Sequence, residues 1–253
     1  MLLKQKNGLF LVQFPEFLAL QGVWHGIFMR LGGASPEPFA SLNVSKGHKD
    51  DLSQIETNRE KIAAMMPPGK IVAVHQTHGT GILNVSKALI ENERASLCGD
   101  AMISQEKALF LMIQVADCQA VFLIDPIRKV VANVHSGWRG SIANILGKTI
   151  LAMVNQYGCK PEHIVAGVGP SLGPCCAEFV NYQAEIPPKF WSFKDDRDHF
   201  DFWAISRDQL KKSGVKNANI HVSQICTHCN PHLFFSYRFR RQTGRFAAII
   251  GLT

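Results

Sequence analysis

No stretch of the sequence is apolar for the roughly 18 consecutive residues that a membrane-spanning helix requires. The apolar N-terminal stretch is interrupted by lysine, proline and glutamate, and it carries no small-residue cleavage pattern. Internal repeats, low-complexity segments and Gly/Ser linkers are also absent. We therefore expect a soluble, cytoplasmic protein that contacts no membrane and folds as a single catalytic domain over residues 1–253.

The chain has seven cysteines, an odd number, and no export signal, which argues against a framework of disulfides. Metal binding, catalysis or simple burial must account for the thiols. No His-x-His pair occurs among the ten histidines, although copper oxidases gather many histidines around their metal ions. The sequence therefore disfavours multicopper chemistry.

Basic residues outnumber acidic ones, with a net charge of +7 and a pI near 9.1. Aromatic residues are spread along the chain rather than interleaved with basic clusters, so a small phosphate-bearing ligand explains the charge as well as nucleic acid does. The one dense basic run, RFRRQTGR (238–245), is typical of a solvated rim. We expect a small anionic ligand and no nucleic acid.

Two helices are predicted from apolar spacing and end signals. Residues 52–66 place apolar side chains on one face, with Asp51 or Ser53 as the N-cap and Pro67 as the stop. A second helix begins near Ser141 and ends at Gly158, a glycine suited to the C-terminal position.

Five β-rich segments surround these helices. They begin at Lys70, Ala108, Ala120 and Lys129, and the last, RFAAIIGL, lies near the end of the chain. A β-rich core covered by helices predicts a mixed α+β fold.

A hairpin brings a cysteine to a histidine. Asp125 and Pro126 suit the first two positions of a β-turn, and a turn centred there pairs residues whose numbers sum to 253. This register places Cys118 opposite His135, close enough to hold one metal ion. A loop one residue longer would turn one of them to the other face.

A third ligand is expected from HQTHG (75–79), which follows the strand that begins at Lys70. His78 lies at the mouth of the turn beside Gly79 and is a better choice than His75. Two histidines and one cysteine leave a fourth tetrahedral position open, which is typical of a catalytic zinc. Taken singly, each residue could instead be an ordinary buried cysteine or a structural histidine.

The segment after His135 predicts an anion site. A helix starting near Gly140 or Ser141 offers free N–H groups, and Gly140 lets a ligand approach the backbone closely. Arg139 adds a planar charged group suited to phosphate, although a surface ion pair is the alternative.

Two residues elsewhere are expected to complete this phosphate and substrate pocket. Arg30 is followed by glycines and is a reasonable companion of Arg139. Asn43, in the polar turn SLN (41–43), could donate to a substrate hydroxyl or cap the turn.

Four further cysteines are not expected to form a metal site. The segment CTHCNPH (226–232) contains the Cys-x-x-Cys pair Cys226 and Cys229, but no second such pair completes a structural site. Cys175 and Cys176 are adjacent, so we expect them to pack in the core or line a rim.

The chain resembles the YfiH-type family, which has been called polyphenol oxidase or laccase and also purine nucleoside phosphorylase. The resemblance runs in order from about residue 22 to the C-terminus, and ADC with HSGWRG is its most specific part. Thr77, Ser136, Gln119 and Ala120 depart from the family's usual residues. The motifs that carry it are RLGG (30–33), SLN (41–43), ETNR (56–59), QTHG (76–79), GDA (99–101), ADC (116–118), HSGWRG (135–140), GVGPSLGPCC (167–176), FFSYR (234–238) and TGR (243–245).

The resemblance implies a four-layer α/β/β/α sandwich and a zinc ion, with copper as the alternative, held by the residues that match His78, Cys118 and His135. It also implies phosphorolysis of adenosine, inosine and 5′-methylthioadenosine, with adenosine deamination as a second activity. We expect Arg30, Asn43 and Arg139 to act in catalysis, and these residues with Gly140 to bind substrate and phosphate, in a monomer or weak homodimer.

Three alternatives stay open. A copper-dependent polyphenol oxidase is the first. A cysteine hydrolase or amidase, with Cys118 as nucleophile and His135 as base, is the second. A nucleotide-binding module without turnover is the third, and salt-dependent RNA binding would favour it.

Overall fold

The computed structural model describes residues 1–47, 49–92 and 97–253. The α-helices are α1 (Pro15–Leu18), α2 (Leu52–Ala63), α3 (Lys87–Asn92), α4 (Trp138–Ile142), α5 (Ile145–Tyr157), α6 (Tyr182–Glu185) and α7 (Phe202–Lys212), and 3₁₀ turns occupy Pro161–His163, Pro188–Phe193 and Asn217–Asn219. The strands are β1 (Leu2–Lys6), β2 (Leu9–Gln13), β3 (Val23–Phe28), β4 (Lys70–Ala73), β5 (Ile82–Asn84), β6 (Ala101–Ser104), β7 (Leu109–Val115), β8 (Gln119–Asp125), β9 (Val130–Ser136), β10 (Val165–Val168), β11 (Ile220–Val222) and β12 (Phe246–Leu252).

The strands form two mixed sheets. The first has the order β1-β2-β3-β12-β7-β4, and the second has the order β11-β10-β8-β9-β6-β5. Most neighbours are antiparallel, but β4 pairs with β7, β5 with β6, and β10 with β11 in parallel. The five predicted β-rich segments coincide with β4, β7, β8, β9 and β12.

The central strands are buried on both faces, which explains their nearly continuous apolar sequences. In β8, Phe122 and Ile124 face the core between the sheets, whereas Val121 and Leu123 face the helices. The core between the sheets also contains Leu111 from β7. Alternation with period two thus serves two apolar layers at once.

Helices cover the outer face of each sheet. On the first sheet, Ile62 of α2 packs in one cluster with Phe110 of β7. On the second sheet, Ile150 of α5 and Leu210 of α7 share a cluster with Val134 of β9. The order of layers is helix, sheet, sheet, helix, which confirms the predicted mixed α+β sandwich.

The helix ends follow the predicted signals in part. Asp51 caps α2 by accepting a hydrogen bond from the Ser53 backbone, but the helix ends at Ala63, before Pro67. Gly158 ends α5 in the left-handed conformation, as predicted. The predicted start near Ser141 is wrong, because a short helix begins at Trp138 and a break at Asn144 separates it from α5.

The predicted hairpin register is wrong by two residues. Asp125 pairs with Val130, and Ala120 rather than Cys118 pairs with His135, so paired numbers sum to 255. The loop is two residues longer than expected and ends at Lys129, which has a positive φ of 54°. Because side chains alternate with period two, this shift leaves Cys118 and His135 on the same face as diagonal neighbours.

Among residues 1–47, 49–92 and 97–253, no helix has the length and apolar character needed to cross a bilayer.

Candidate active site

Three chain segments meet at one end of the sandwich. The turn at 75–79 follows β4 of the first sheet, Cys118 precedes β8, and His135 lies near the end of β9 in the second sheet. Residues 116–118 connect β7 to β8 and therefore pass from one sheet to the other at this point. The site lies where the chain crosses from the first sheet to the second.

Here the structure brings His78, Cys118 and His135 together. One ligand atom from each residue lies within 4.8 Å of the others. His135 is buried, Cys118 is half-buried and His78 is exposed, so the cluster has a solvent-facing side. The His78 and His135 rings meet edge to face with their centroids 4.7 Å apart.

Asp100 supports this cluster, and no role for this residue was predicted from the sequence. Its fully buried carboxylate lies 2.8 Å from His135 Nδ1 and accepts the backbone N–H of His78 at 2.9 Å. Gly79 N–H and the Thr77 hydroxyl each donate to it at 2.7 Å. One carboxylate therefore orients two of the three potential ligands and leaves His135 Nε2 available.

The pKa of His135 is linked to those of its neighbours Asp100 and Cys118. Burial would raise the pKa of Asp100, but hydrogen bonds from His135, Thr77 and Gly79 hold it well below the usual range. Burial would also raise the pKa of the Cys118 thiol, yet the neighbouring His135 lowers it to about 6. Burial would lower the pKa of His135, but Cys118 and Asp100 raise it to about 9. The metal-free chain thus favours a thiolate beside a protonated imidazole.

This donor set fits a transition-metal ion. Metal binding would require a thiolate and neutral imidazoles, so His135 would release its second proton when Cys118 and His135 hold the ion. Two histidines and one cysteine suit zinc and are also compatible with copper. The carboxylate behind His135 is the kind of outer partner that metal-bound histidines usually have.

A cavity of about 1070 Å³ opens over the cluster. Its volume is that of a site for a small molecule. Aromatic rings from several segments contribute to its wall. They belong to Trp138, Phe179, Phe202 and Tyr237.

Among the described residues that line the cavity, the basic side chains outnumber the one acidic residue, Asp117. Arg139 lies over the Trp138 ring at 4.2 Å and makes no hydrogen bond with another described residue through its guanidinium group. Its exposed side chain is therefore available to an anion. The basic residues are Lys46, Arg59, Arg139, Arg238, Arg241 and Arg245.

Residues 238–242 of the basic run at 238–245 are exposed, as expected of a solvated rim, and three arginines of the run also line the cavity. Asp117, in the ADC motif, holds this segment in place: its carboxylate accepts the Arg238 backbone N–H at 2.6 Å and the Thr227 hydroxyl at 2.7 Å. Burial lowers the pKa of Arg245, while Cys118 and Asp117 oppose that shift. The long sequence separation concealed this approach.

Arg30 does not join the predicted phosphate pocket. Its guanidinium donates to the carbonyls of Ala40 and Pro231 and lies 4.5 Å from the centre of the Phe235 ring. It does not belong to the lining of the cavity. The prediction is corrected, because this arginine is already occupied in joining two loops.

Asn43 is also committed to the scaffold rather than to a substrate hydroxyl. It is fully buried, donates to Asp50 at 2.8 Å, and accepts the backbone N–H groups of Ser45 and Arg245. The turn-capping alternative describes it, and its link to the cavity runs through the backbone of Arg245.

Gly140 does not belong to the lining of the cavity. It is buried in α4, and a Cβ atom placed there would lie 3.3 Å from the Gly79 carbonyl oxygen. Gly137 is the glycine at the cluster, since a Cβ atom there would come within 3.0 Å of Cys118 Sγ. The five residues of α4 form too short a helix for a helix-end anion site, so the arginine side chains carry the positive charge.

The departures from the family pattern add polar contacts around the site. Thr77 supplies one of the hydrogen bonds to Asp100. The Ser136 hydroxyl lies 2.9 Å from that of Ser141. Gln119 donates to the Phe202 carbonyl at 2.9 Å and thereby connects β8 to α7.

Comparison with known proteins gives a consistent assignment. The family model described as "Multi-copper polyphenol oxidoreductase laccase" matches residues 24–253. "Purine nucleoside phosphorylase YlmD" of Geobacillus stearothermophilus is 31% identical over 91% of this chain and 90% of its own length. "Purine nucleoside phosphorylase YfiH" of Escherichia coli is 31% identical over 94% of this chain and 97% of its own length.

Solved structures share the fold. The crystal structure of YlmD from Geobacillus stearothermophilus superimposes with a TM-score of 0.86 at 29% identity, covering 99% of this chain and 98% of the other. The Bacillus licheniformis hypothetical protein YfiH also gives 0.86, at 26% identity and 99% coverage of both chains. The similarity in sequence and in architecture therefore extends over the whole sandwich.

Proposed function

The chain belongs to the family described as multi-copper polyphenol oxidoreductase laccase, and we propose that it is a zinc-dependent purine nucleoside phosphorylase. Relatives that bear the phosphorylase name cover about nine-tenths of the chain or more. We include adenosine, inosine and 5′-methylthioadenosine among its substrates, and adenosine deamination as a second activity.

One observation carries the proposal: a His78, Cys118 and His135 cluster lies at a cavity whose charged lining is almost entirely basic. Phosphate is a divalent or monovalent anion near neutral pH, and arginine binds it through paired hydrogen bonds. The aromatic side chains of the wall suit a purine ring, which stacks on such surfaces. The cavity therefore combines the requirements of both substrates.

Phosphorolysis needs the two substrates in a defined orientation. A phosphate oxygen attacks the anomeric carbon of the ribose, the carbon–nitrogen bond to the purine breaks, and ribose 1-phosphate and free base result. Arg139 binds and orients the phosphate. Arg241 is also available to the phosphate, because Arg241 makes no hydrogen bond with another described residue. Holding two reactants in place removes much of the entropic barrier of a bimolecular reaction.

His78, Cys118 and His135 would hold the zinc ion, and Asp100 would keep His135 in the correct orientation and tautomer. When bound, zinc supplies Lewis-acid polarisation of a substrate or solvent oxygen. Asp117 positions the backbone of Arg238 at the cavity wall. These roles leave Arg30 and Asn43 in the scaffold.

Deamination would use the same cavity with water in place of phosphate. Adenosine and water give inosine and ammonia, so the bond broken is at purine C6 rather than at the ribose. The two reactions place different ends of the nucleoside at the reacting centre, so the nucleoside would bind in a different orientation for each.

Incubation of the protein with adenosine and phosphate, followed by chromatography, tests the proposal. Adenine and ribose 1-phosphate are expected, and their formation must require added phosphate. Inosine without any free base would limit the activity to deamination. The proposal would be contradicted if protein with one zinc ion at this site formed neither free adenine nor inosine.

The family description favours copper-dependent oxidation of polyphenols as a second candidate function. Metal analysis of protein purified without added copper separates the two. Stoichiometric copper without zinc, together with oxygen consumption on a phenol, would favour the oxidase.

The close Cys118 and His135 pair favours a cysteine hydrolase as a further alternative. Its test is iodoacetamide alkylation of the metal-free protein. A hydrolytic activity that is lost on alkylation and that does not require zinc would support that chemistry.

A further inference from the structure

Four cysteines outside the cavity lie together at the protein surface. Their sulfur atoms all lie within 4.8 Å of one another, although two come from the GPCC segment and two from the CTHC segment. Cys229 Sγ is 3.6 Å from Cys175 Sγ and 3.5 Å from Cys176 Sγ. The expectation that Cys175 and Cys176 pack in the core or line a rim is therefore incomplete.

Backbone pairing between two loops creates this cluster. Ser171 and Cys226 form a parallel bridge, in which Ser171 donates to the Ile225 carbonyl at 3.1 Å and Thr227 donates to the Ser171 carbonyl at 3.0 Å. A tight turn follows in each segment, with Cys176 N–H bound to the Gly173 carbonyl at 3.0 Å. The second Cys pair that the sequence seemed to lack is thus supplied by adjacent cysteines folded over a turn.

Backbone donors are directed at one of the sulfurs. Gly173 N–H donates to Cys226 Sγ at 3.3 Å. The backbone N–H of Cys229 is directed at the same sulfur. Such donors stabilise a negatively charged sulfur, which is the form that ligates metals.

The sulfur spacing fits a single, tetrahedrally coordinated ion. A tetrahedral zinc with bonds of about 2.3 Å to sulfur places its ligands about 3.8 Å apart, close to the observed contacts. A disulfide would need about 2.05 Å, and all four thiols are free. Iron–sulfur clusters contain several metal and sulfide atoms and would need wider spacing between the cysteines.

We propose that Cys175, Cys176, Cys226 and Cys229 bind a structural zinc ion that fastens the GPCC and CTHC segments to each other. Four protein ligands close the coordination sphere, which is the arrangement of structural rather than catalytic zinc.

The two segments flank the basic wall of the cavity. The Arg238 guanidinium donates to the Glu178 carbonyl at 2.9 Å, two residues after Cys176. Asp117 accepts hydrogen bonds from Thr227, inside the CTHC segment, and from the Arg238 backbone. The ion therefore stabilises the loops on which the arginine-rich wall is built.

Metal content measured by mass spectrometry tests this assignment. The protein is produced with zinc in the medium and purified under reducing conditions without chelators. Two zinc ions per chain are expected, and Cys229→Ser should lose one of them and lower the unfolding midpoint by roughly 5 °C or more. Cys159→Ala, which removes a buried cysteine elsewhere, is the matched control and should retain both ions.

Thiol protection in the unaltered protein gives a second measurement that does not depend on the folding of a variant. Iodoacetamide followed by peptide mapping should spare the four cysteines in the zinc-loaded protein and modify the exposed Cys175 and Cys229 after chelation. When zinc alone is added back to the chelated protein before iodoacetamide, protection should be restored. Equal modification before and after chelation would overturn the proposal.

The inference does not rest on the proposed function, and Cys118→Ala separates the two. If the cavity site binds no zinc, the wild-type protein contains one ion, Cys118→Ala keeps it and Cys229→Ser loses it. If the surface site binds no zinc, Cys229→Ser has the same metal content as the wild type, and the present assignment fails. Stoichiometric iron in place of zinc, or disulfides among these cysteines in freshly reduced protein, would overturn it as well.

Discussion

Two clusters of potential metal ligands lie among the residues that the structure describes, and they differ in what completes them. The cavity cluster has three potential ligands at the floor of a large basic cavity, and a buried carboxylate supports it. The surface cluster has four sulfurs, and none of its cysteines belongs to the lining of that cavity. An incomplete coordination sphere beside a substrate cavity suits reaction, whereas a complete one between two loops suits stability.

The means of support differ in the same way. At the cavity cluster, Asp100 binds His135 and the turn that carries His78, so side-chain orientation is defined by a charged group. At the surface cluster, backbone N–H groups and a parallel bridge position the sulfurs. A change at one cluster should therefore leave the metal occupancy of the other intact.

The largest expected effect comes from Cys118→Ala. Phosphorolysis should fall by about 10³-fold or more, since removal of a ligand releases the catalytic ion. Zinc content should fall by one ion per chain, while the zinc at the surface cluster is retained. Steady-state kinetics with adenosine and phosphate, together with metal analysis, provide the check, and near-normal turnover would remove the functional distinction between the clusters.

Asp100→Asn should weaken zinc at the cavity cluster by about 10- to 100-fold and leave the surface cluster unchanged. The amide keeps the shape of the carboxylate but loses its charge and part of its accepting capacity. Competition with a chromophoric chelator measures both affinities. Asp125→Asn, another fully buried aspartate, is the control and should alter neither affinity.

Arg139→Ala should raise the KM for phosphate by about 10- to 100-fold, since a hydrogen bond to a charged group contributes about 1.5–3 kcal/mol. Arg139→Lys should recover part of the loss, because lysine keeps the charge without the paired geometry. Neither variant should change zinc content. Arg197→Ala serves as the control, since that arginine is exposed and pairs with Asp195 away from the cavity. An unchanged KM in Arg139→Ala would exclude this side chain from phosphate binding.

The smallest effect is expected from Arg30→Ala, which should lower the free energy of unfolding by about 1–3 kcal/mol. Its guanidinium joins the carbonyls of Ala40 and Pro231, so its loss leaves acceptors without a partner. Urea denaturation measures the change, and the KM for phosphate should stay near that of the wild type. A large rise in that KM would return Arg30 to the phosphate pocket.

Apolar patterning was sufficient for much of the fold. The strands from β7 to β9 and β12 could be read from local sequence because each is buried on both faces. The exact hairpin register was not available locally, since Lys129 extends the loop with a positive φ. The face shared by Cys118 and His135 survived this error because the shift was even.

The sequence by itself determined five of the strands, much of α2 and α5, and three residues with matched ligand chemistry, because hydrophobic period and ligand chemistry are local properties. Only the tertiary structure decided how Asp100 supports those residues, that Arg30 and Asn43 are used in the scaffold, and that Cys175 and Cys176 meet Cys226 and Cys229. The physical reason is separation along the chain: the bridge from Ser171 to Cys226 joins positions more than fifty residues apart, and no local pattern encodes such a pairing.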